Sequence, residues 1–239
     1  MKDHGTSSDK DRKIVVTEDG PYHVSGSVPL SKDIKYSDSE GTPVRWEQTS
    51  QYPLEKEYDL CRCGHSGQKP FCDGSHVMEG FDGTETASHQ PREAQAETFT
   101  GPGLVLSDNP GLCSAARFCH RAGDAWTLTE ASQDPAAKKM AIEEACDCPS
   151  GRLVARDPVT GTPIEPAFTP SIGVGEDPYR KISGPLCVRG GIPLQGADGA
   201  AYEVRNRMTL CRCGKSKNKP FCDGTHLAVK FNDGDASVK

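Results

Sequence analysis

Three cysteines and a histidine fall within residues 61–76, CRCGHSGQKPFCDGSH, and nearly the same string returns at 211–226 as CRCGKSKNKPFCDGTH. Thiolates joined by one imidazole suit zinc or iron–sulfur groups. Cys61 and Cys63 are one residue apart, so an extended loop can turn both sulfurs toward one metal. Cys72 and His76 are four apart, which a helical turn places on one face. Gly64 and Gly67 let the loop wrap closely, Pro70 fixes φ just before the third sulfur, and Asp73, Gly74 and Ser75 suit the opening of a turn. A single zinc is more often held by two pairs of ligands a dozen or more residues apart. Here Cys72 lies only nine residues after Cys63. That spacing suits a wider object, with two ligands on each of two metal ions.

The elements that must position these residues are also repeated. At an offset of 150 residues the two strings agree at twelve of sixteen positions. Ahead of them lie GPYHVSGSVPL (20–30) and GPLCVRGGIPL (184–194). Pro21 precedes Cys61 by 40 residues and Pro185 precedes Cys211 by 26, so the first copy carries a loop about fourteen residues longer. Each copy reads as strand, turn, strand and ligand loop, with strands expected at 14–17 and 22–24 and segments 54–60 and 201–210 leading into the loops. The predicted fold is α+β, mostly β: two small β-rich lobes related by an approximate twofold, with a small α/β insert between them.

In the insert, 90–97 reads as a linker. Helices are expected over 108–123, capped by Asn109 with Pro110 in its first turn, and over 134–148, capped by Asp134 with Pro135 at its first position. Strands are expected at 125–129 and 152–156. The expected division is a flexible N-terminus (1–13), a first lobe (14–83), the insert (84–180) and a second lobe (181–239).

Composition narrows the function classes. The hydrophobic fraction of 34% is below the ~45–50% usual for globular domains, and Gly and Pro together number 43 of 239 residues. Such a thin, loop-rich core is expected to draw stability from bound metal. A net charge of −6 argues against nucleic-acid binding. No apolar run reaches the ~18–20 residues of a membrane span, and the polar start MKDHGTSSDKDRK carries no hydrophobic signal segment. The expected location is cytoplasmic, where eleven cysteines point to metal binding rather than disulfides.

The pattern C-x-C-x-x-S-x-x-x-P-x-C-D-G-S-H resembles that of the CDGSH iron–sulfur (mitoNEET-like) family. Both copies carry its Ser (Ser66, Ser216), Pro (Pro70, Pro220) and closing motif (Asp73 to His76; Asp223 to His226), with Thr225 in place of Ser. The flanks are similar to those of bacterial tandem members. The resemblance implies two [2Fe–2S] clusters with three-cysteine, one-histidine ligation. Cys61 and Cys63 would hold one iron, and Cys72 and His76 the other. Cys211 and Cys213, then Cys222 and His226, would do the same in the second copy. The insert, through CDCPSG (146–151) and GPGLVLSDNPGLC (101–113), resembles a divergent single-cluster ferredoxin-like domain. It lacks the C-x-x-C-x-x-C run, since Cys113, Cys119, Cys146 and Cys148 are separated by five, twenty-six and one residues. Two clusters, and iron near four per chain, are therefore expected. Cys187 reads as a buried strand residue, and His4, His89 and His120 as surface residues.

A cluster with one neutral imidazole carries less negative charge than an all-thiolate one, so its potential should lie between plant-type ferredoxins and Rieske centres. Imidazole also titrates, so loosening is expected below about pH 6–7. Arg212, Lys215, Lys217 and Lys219 outnumber Arg62 and Lys69, which suggests the higher potential for the second cluster. The expected function is one-electron transfer or redox and pH sensing, without enzymatic activity. The alternatives are storage and transfer of [2Fe–2S] to apo-acceptor proteins, and a structural zinc protein. The expected partner is a redox protein or apo-acceptor, with neither nucleic acid nor membrane, and the chain is expected as a monomer whose lobes form an internal pseudo-dimer.

Overall fold

The computed structural model describes residues 11–239. Residues 1–10 of the stretch expected to be flexible, His4 among them, lie outside the described part, and Lys13 already opens the first strand.

The first copy builds β1 (Lys13–Val16), β2 (Tyr22–Ser25), β3 (Leu30–Ser37), β4 (Pro43–Gln51) and β5 (Glu57–Leu60), then the ligand loop with a single helical turn, α1 (Ser75–Met78). The insert contributes β6 (Glu97–Thr100), β7 (Val105–Asp108), α2 (Ala125–Glu130), α3 (Pro135–Asp147), β8 (Leu153–Arg156) and β9 (Pro163–Ile164). The second copy follows with β10 (Ser171–Asp177), β11 (Ile182–Arg189), β12 (Leu194–Gln195), β13 (Arg207–Leu210) and α4 (Thr225–Ala228). Residues 171–177, placed in the insert by the sequence, thus form a strand of the second lobe.

The lobes exchange strands. One sheet runs β12-β1-β2-β5 and the other β13-β11-β10-β3-β4. The short Val-Pro-Leu or Ile-Pro-Leu run of each copy crosses to the other's sheet. Leu30 pairs in parallel with Ile172, and Leu194 in parallel with Ile14. The fourteen extra residues of the first copy go into a longer β3 and its hairpin partner β4. Alternation explains the burial: Ile14 and Val16 of β1, and Tyr22 and Val24 of β2, turn inward. They meet Ile172, Val174, Leu186 and Leu210 of the other sheet in one shared core. The approximate twofold and mostly β architecture are as the repeat predicts.

The insert has its own sheet, β6-β7-β8-β9, and its own core, where Leu104, Leu106 and Leu153 pack against Ala141 and Ala145 of α3. The Asp134 side chain caps α3 and Pro135 fills its first position, as expected. Two expectations fail. Residues 125–130 are helical, not a strand, because Asp124 accepts the Thr127 N–H and starts a turn ahead of the apolar run. Residues 108–123 are not one helix. Asn109 does accept the Gly111 N–H, but the turn ends at Leu112, and Ala115 and Arg117 then take φ of +57° and +70°. Among the described residues no helix is long and apolar enough to cross a membrane.

Candidate metal centre

Both ligand loops are built the same way. The Cys61 N–H donates to the Pro70 carbonyl and the Cys72 N–H to the Asp59 carbonyl, so the third cysteine lies beside the strand that delivers the first two. The Cys211 and Cys222 N–H groups repeat this with Pro220 and Thr209. Ser66 Oγ donates to the Phe71 carbonyl at 2.7 Å and accepts the Gln68 N–H at 3.0 Å; Ser216 repeats it with Phe221 and Asn218. Asp73 ties the loop shut, accepting the Gly67 N–H with one oxygen and the Ser75 N–H and hydroxyl with the other. These bonds hold its carboxyl well below the usual range, the Ser75 hydroxyl foremost. Gly74 and Gly224 take φ of +88° and +84°, where glycine is favoured, and open the turns that carry the histidines.

The candidate ligands come together as pairs. Cys61 and Cys63 Sγ are 3.7 Å apart, and Cys211 and Cys213 Sγ 3.6 Å. Cys72 Sγ lies 3.4 Å from His76 Nδ1, and Cys222 Sγ 3.4 Å from His226 Nδ1. A tetrahedral metal with bonds of ~2.3 Å to sulfur and ~2.0–2.1 Å to nitrogen has edges of roughly 3.8 Å between two sulfurs and roughly 3.6 Å between sulfur and nitrogen. Each pair is therefore spaced to share one metal ion. Each loop thus presents one sulfur–sulfur edge and one sulfur–nitrogen edge. Three thiols and one imidazole arranged as two such edges fit a two-iron group. Hydrogen bonding from the partner thiol lowers Cys61 and Cys211, and backbone N–H groups of Ser66 and Gly64, or Ser216 and Gly214, act the same way. Such thiols favour the thiolate that binds metal.

The loops differ in what surrounds them. His226 is 5% exposed, and burial first, then Arg212, lowers its pKa to about 4. It borders a small cavity with Trp46 of β4, Ala115 of the insert and the Lys35–Asp177 ion pair (2.5 Å). A methyl on Gly224 would lie 3.2 Å from Ala115 Cβ, and Asn218 Nδ2 donates to the Gly111 carbonyl at 3.0 Å, so the insert covers the second loop. Around the first loop nothing lies within 4 Å of a methyl placed on Gly74, His76 is half-buried, and Val77 and Met78 are exposed.

Two residues that the sequence reading counted only as charge near the clusters sit one at the centre of each site. Arg62 and Arg212, between the paired cysteines, are 1% and 2% exposed. Arg62 donates to the carbonyls of Gly20 (2.7 Å), Gly83 (2.7 Å) and Thr17 (2.9 Å). Arg212 donates to the carbonyls of Gly184 (2.7 Å) and Gly175 (2.8 Å), and to the carboxylates of Glu176 (2.5 Å) and Asp233. Their burial was legible only as an identical residue inside an identical motif. A third unforeseen group is Tyr22, fully buried in the first lobe. Its hydroxyl lies 2.8 Å from the Cys211 carbonyl and 2.9 Å from that of Pro220, linking it to the second loop.

Of the remaining candidates, Cys187 is buried in β11 and burial raises its thiol to about 12. His89 is exposed, stacked on Tyr202, and His120 is exposed beside Trp126. In the insert, Cys119 lies near Cys148 and Cys113, whereas Cys146 Sγ turns to the Ile164 carbonyl at 3.5 Å. All eleven cysteines are free of disulfides.

Residues 19–77 and 183–227 match the family described as iron-binding zinc finger, CDGSH type. Residues 99–158 match the family described as divergent 4Fe-4S mono-cluster. Comparison with curated proteins and with solved structures gives no match.

Proposed function

Because this chain belongs to the CDGSH-type iron-binding family, carrying its motif twice around a divergent 4Fe-4S-type segment, we propose that it is a non-enzymatic iron–sulfur protein with two [2Fe–2S] clusters, acting in one-electron transfer or redox and pH sensing. The pairwise spacing of the donors carries this reading: each loop holds one sulfur–sulfur and one sulfur–nitrogen edge of metal-sharing length. Cys61 and Cys63 would hold one iron and Cys72 and His76 the other; Cys211, Cys213, Cys222 and His226 would repeat the arrangement. When bound, such a cluster supplies a reversible one-electron couple. The chain's part is to fix the four donors, to set the charge around them and to limit water. Iron and acid-labile sulfide near four each per chain, with the visible absorption of a two-iron cluster, are expected from anaerobically purified protein. Zinc at these sites after reconstitution with iron and sulfide would overturn the proposal.

One observation favours a second role at the first loop alone. His76 is half-buried and its turn is uncovered, whereas His226 is enclosed. Transfer of a cluster to an apo-acceptor is therefore expected from residues 61–76 and not from 211–226. Mixing holo-protein with an apo-ferredoxin and following its optical activity tests this, with loss of at most half of the donor's iron as the expected result. The match of the insert to a 4Fe-4S family is tested by the same iron assay. Iron near eight, falling to four in a Cys119→Ala, Cys148→Ala variant, would add a third centre.

A further inference from the structure

The two buried arginines make one scaffold twice over. At the offset of 150 residues Arg62 corresponds to Arg212 and Gly83 to Asp233. Gly20 and Gly184 stand in the same place before the aligned prolines. Val16 pairs with Tyr22 as Val174 pairs with Leu186, so Thr17 corresponds to Gly175 and Glu18 to Glu176. Each guanidinium therefore takes the same two carbonyls, through Nε from Gly20 or Gly184 and through Nη2 from Thr17 or Gly175. The copies part at the remaining contacts. Nη1 of Arg62 meets the Gly83 carbonyl, while Nη1 of Arg212 meets the Asp233 carboxylate. Glu18 is exposed, while Glu176, 1% exposed in the longer second hairpin, turns in to Arg212.

Among the described residues, Arg62 has no carboxylate within ion-pair distance: Asp82, which feels its charge, is exposed to solvent, Asp19 is taken by the Gly83 N–H, and the faces of Phe81 and Tyr22 lie at 5.2 and 5.8 Å. With both carboxylates ionised, Arg212 and its two partners form a buried group of net charge −1. Lys215 and Lys217, which tilt a simple count of charges toward the second loop, are exposed and screened by solvent ions. The buried Lys35–Asp177 pair beside His226 is neutral in sum, and the further cation on Asp177, Arg180 at 3.8 Å, is partly exposed and screened by solvent.

We propose that the two sites are poised in a fixed order, the first at the higher reduction potential, because Arg62 is left uncompensated while Glu176 and Asp233 neutralise and overturn the charge of Arg212. This rests on the two-cluster reading above and reverses the order that counting lysines gives. An added electron makes a bound cluster more negative, which a lone buried cation favours and a buried net anion opposes. Greater contact with water at the first loop acts in the same direction. One electron moves from an external one-electron reductant to the iron pair at the first loop, with no bond made or broken and no proton transferred. The second loop fills only afterwards, or passes its electron on. The sites then form an internal downhill path, from the covered loop at 211–226 to the open loop at 61–76.

The test is an anaerobic dithionite titration of the whole holo-chain, followed by electron paramagnetic resonance at pH 8, above the value of about 7 to which burial raises Glu176. Two one-electron steps are expected. His76→Cys, adding a thiolate at the first site, should move the upper step down. His226→Cys should move the lower step down. Glu176→Gln and Asp233→Asn should each raise the lower step and leave the upper one in place. Arg62→Gln should lower the upper step. One unresolved two-electron step, an upper step that moves with His226→Cys, or a lower step untouched by both Glu176→Gln and Asp233→Asn overturns the proposal. A wild-type chain without four irons and a two-iron spectrum overturns the underlying cluster reading instead, so the two failures are told apart.

Discussion

Gly64 and Gly214 stand in reciprocal contact, each pressed against the cysteine that precedes the other. A methyl on Gly64 would lie 2.7 Å from the Cys213 carbonyl oxygen, and one on Gly214 would come closer still to that of Cys63. Both take left-handed backbone, with φ of +86° and +74°. The two ligand loops thus meet backbone to backbone at the local twofold, which brings the sites together with no side chain between these glycines.

Substituting either glycine should therefore damage both sites. Gly64→Ala is expected to cost at least the ~1–3 kcal/mol of a non-glycine residue held at such a φ, with the collision added. Gly74→Ala is the control, since it meets nothing within 4 Å and carries the backbone term alone. Urea denaturation with iron assays should rank Gly64→Ala below Gly74→Ala and show iron lost from both loops. Equal midpoints would remove the contact as a cause.

Tyr22→Phe deletes a hydroxyl that serves the Cys211 and Pro220 carbonyls from the opposite lobe. Leaving a buried acceptor unserved costs about 1–3 kcal/mol. The variant should fold, unfold at lower denaturant, and lose iron from the second loop before the first. Iron lost first from residues 61–76 would contradict this.

Acid should empty the sites in sequence. The imidazole of His226 accepts a proton in the folded chain only near pH 4, whereas in the unfolded chain it does so near ~6.5. Its contribution to stability is therefore whole above ~6.5 and is lost as pH falls toward 4. His76 is half-buried on a turn that nothing covers. As pH is lowered, about half of the visible absorbance should bleach first, and His76→Cys should retain it. Retention in His226→Cys instead would reverse the assignment.

Arg207 should prove a structural clamp rather than a ligand-site residue. It is 2% exposed, donates to the carbonyls of Ala145, Cys146, Cys148 and Leu153, and pairs with Glu165 at 2.8 Å. These bonds fasten the C-terminal end of α3 and β8 to the second sheet. Arg207→Met is expected to destabilise by ~3–5 kcal/mol, as when one partner of a buried pair is removed. Because the insert covers the second loop, His226 should then become accessible to diethyl pyrocarbonate in apo-protein. Unchanged protection would separate the clamp from the cover.

The sequence was most legible where chemistry demands a residue type. Cys61, Cys63, Cys72 and His76 were visible as two pairs, and both pairs form. The repeat also exposed the two lobes, because the Gly-Pro turns and ligand motifs recur at nearly fixed intervals. Contacts between copies were not legible. Nothing local tells that Leu30 pairs with Ile172 rather than with its own lobe, or that Tyr22 reaches Cys211, since these are settled by the shared core. Arg62 and Arg212 were legible only as charge near the clusters, because their burial depends on carbonyls 21 to 45 residues away in one case and 28 to 37 in the other. The run at 125–129 was misread because so short an apolar stretch fits either period, and the cap at Asp124 decided it.

The crossing of β3 and β12 has a consequence for how such a chain is cut or inherited. Severed in the segment before β6, it yields two pieces, each missing an edge that only the other supplies. A first half expressed alone has to borrow that edge from another molecule, and two separately made halves should reassemble on mixing. The polypeptide is in effect a dimer whose subunits have been sewn together. That seam has freed the two halves to diverge while keeping their number fixed at one of each.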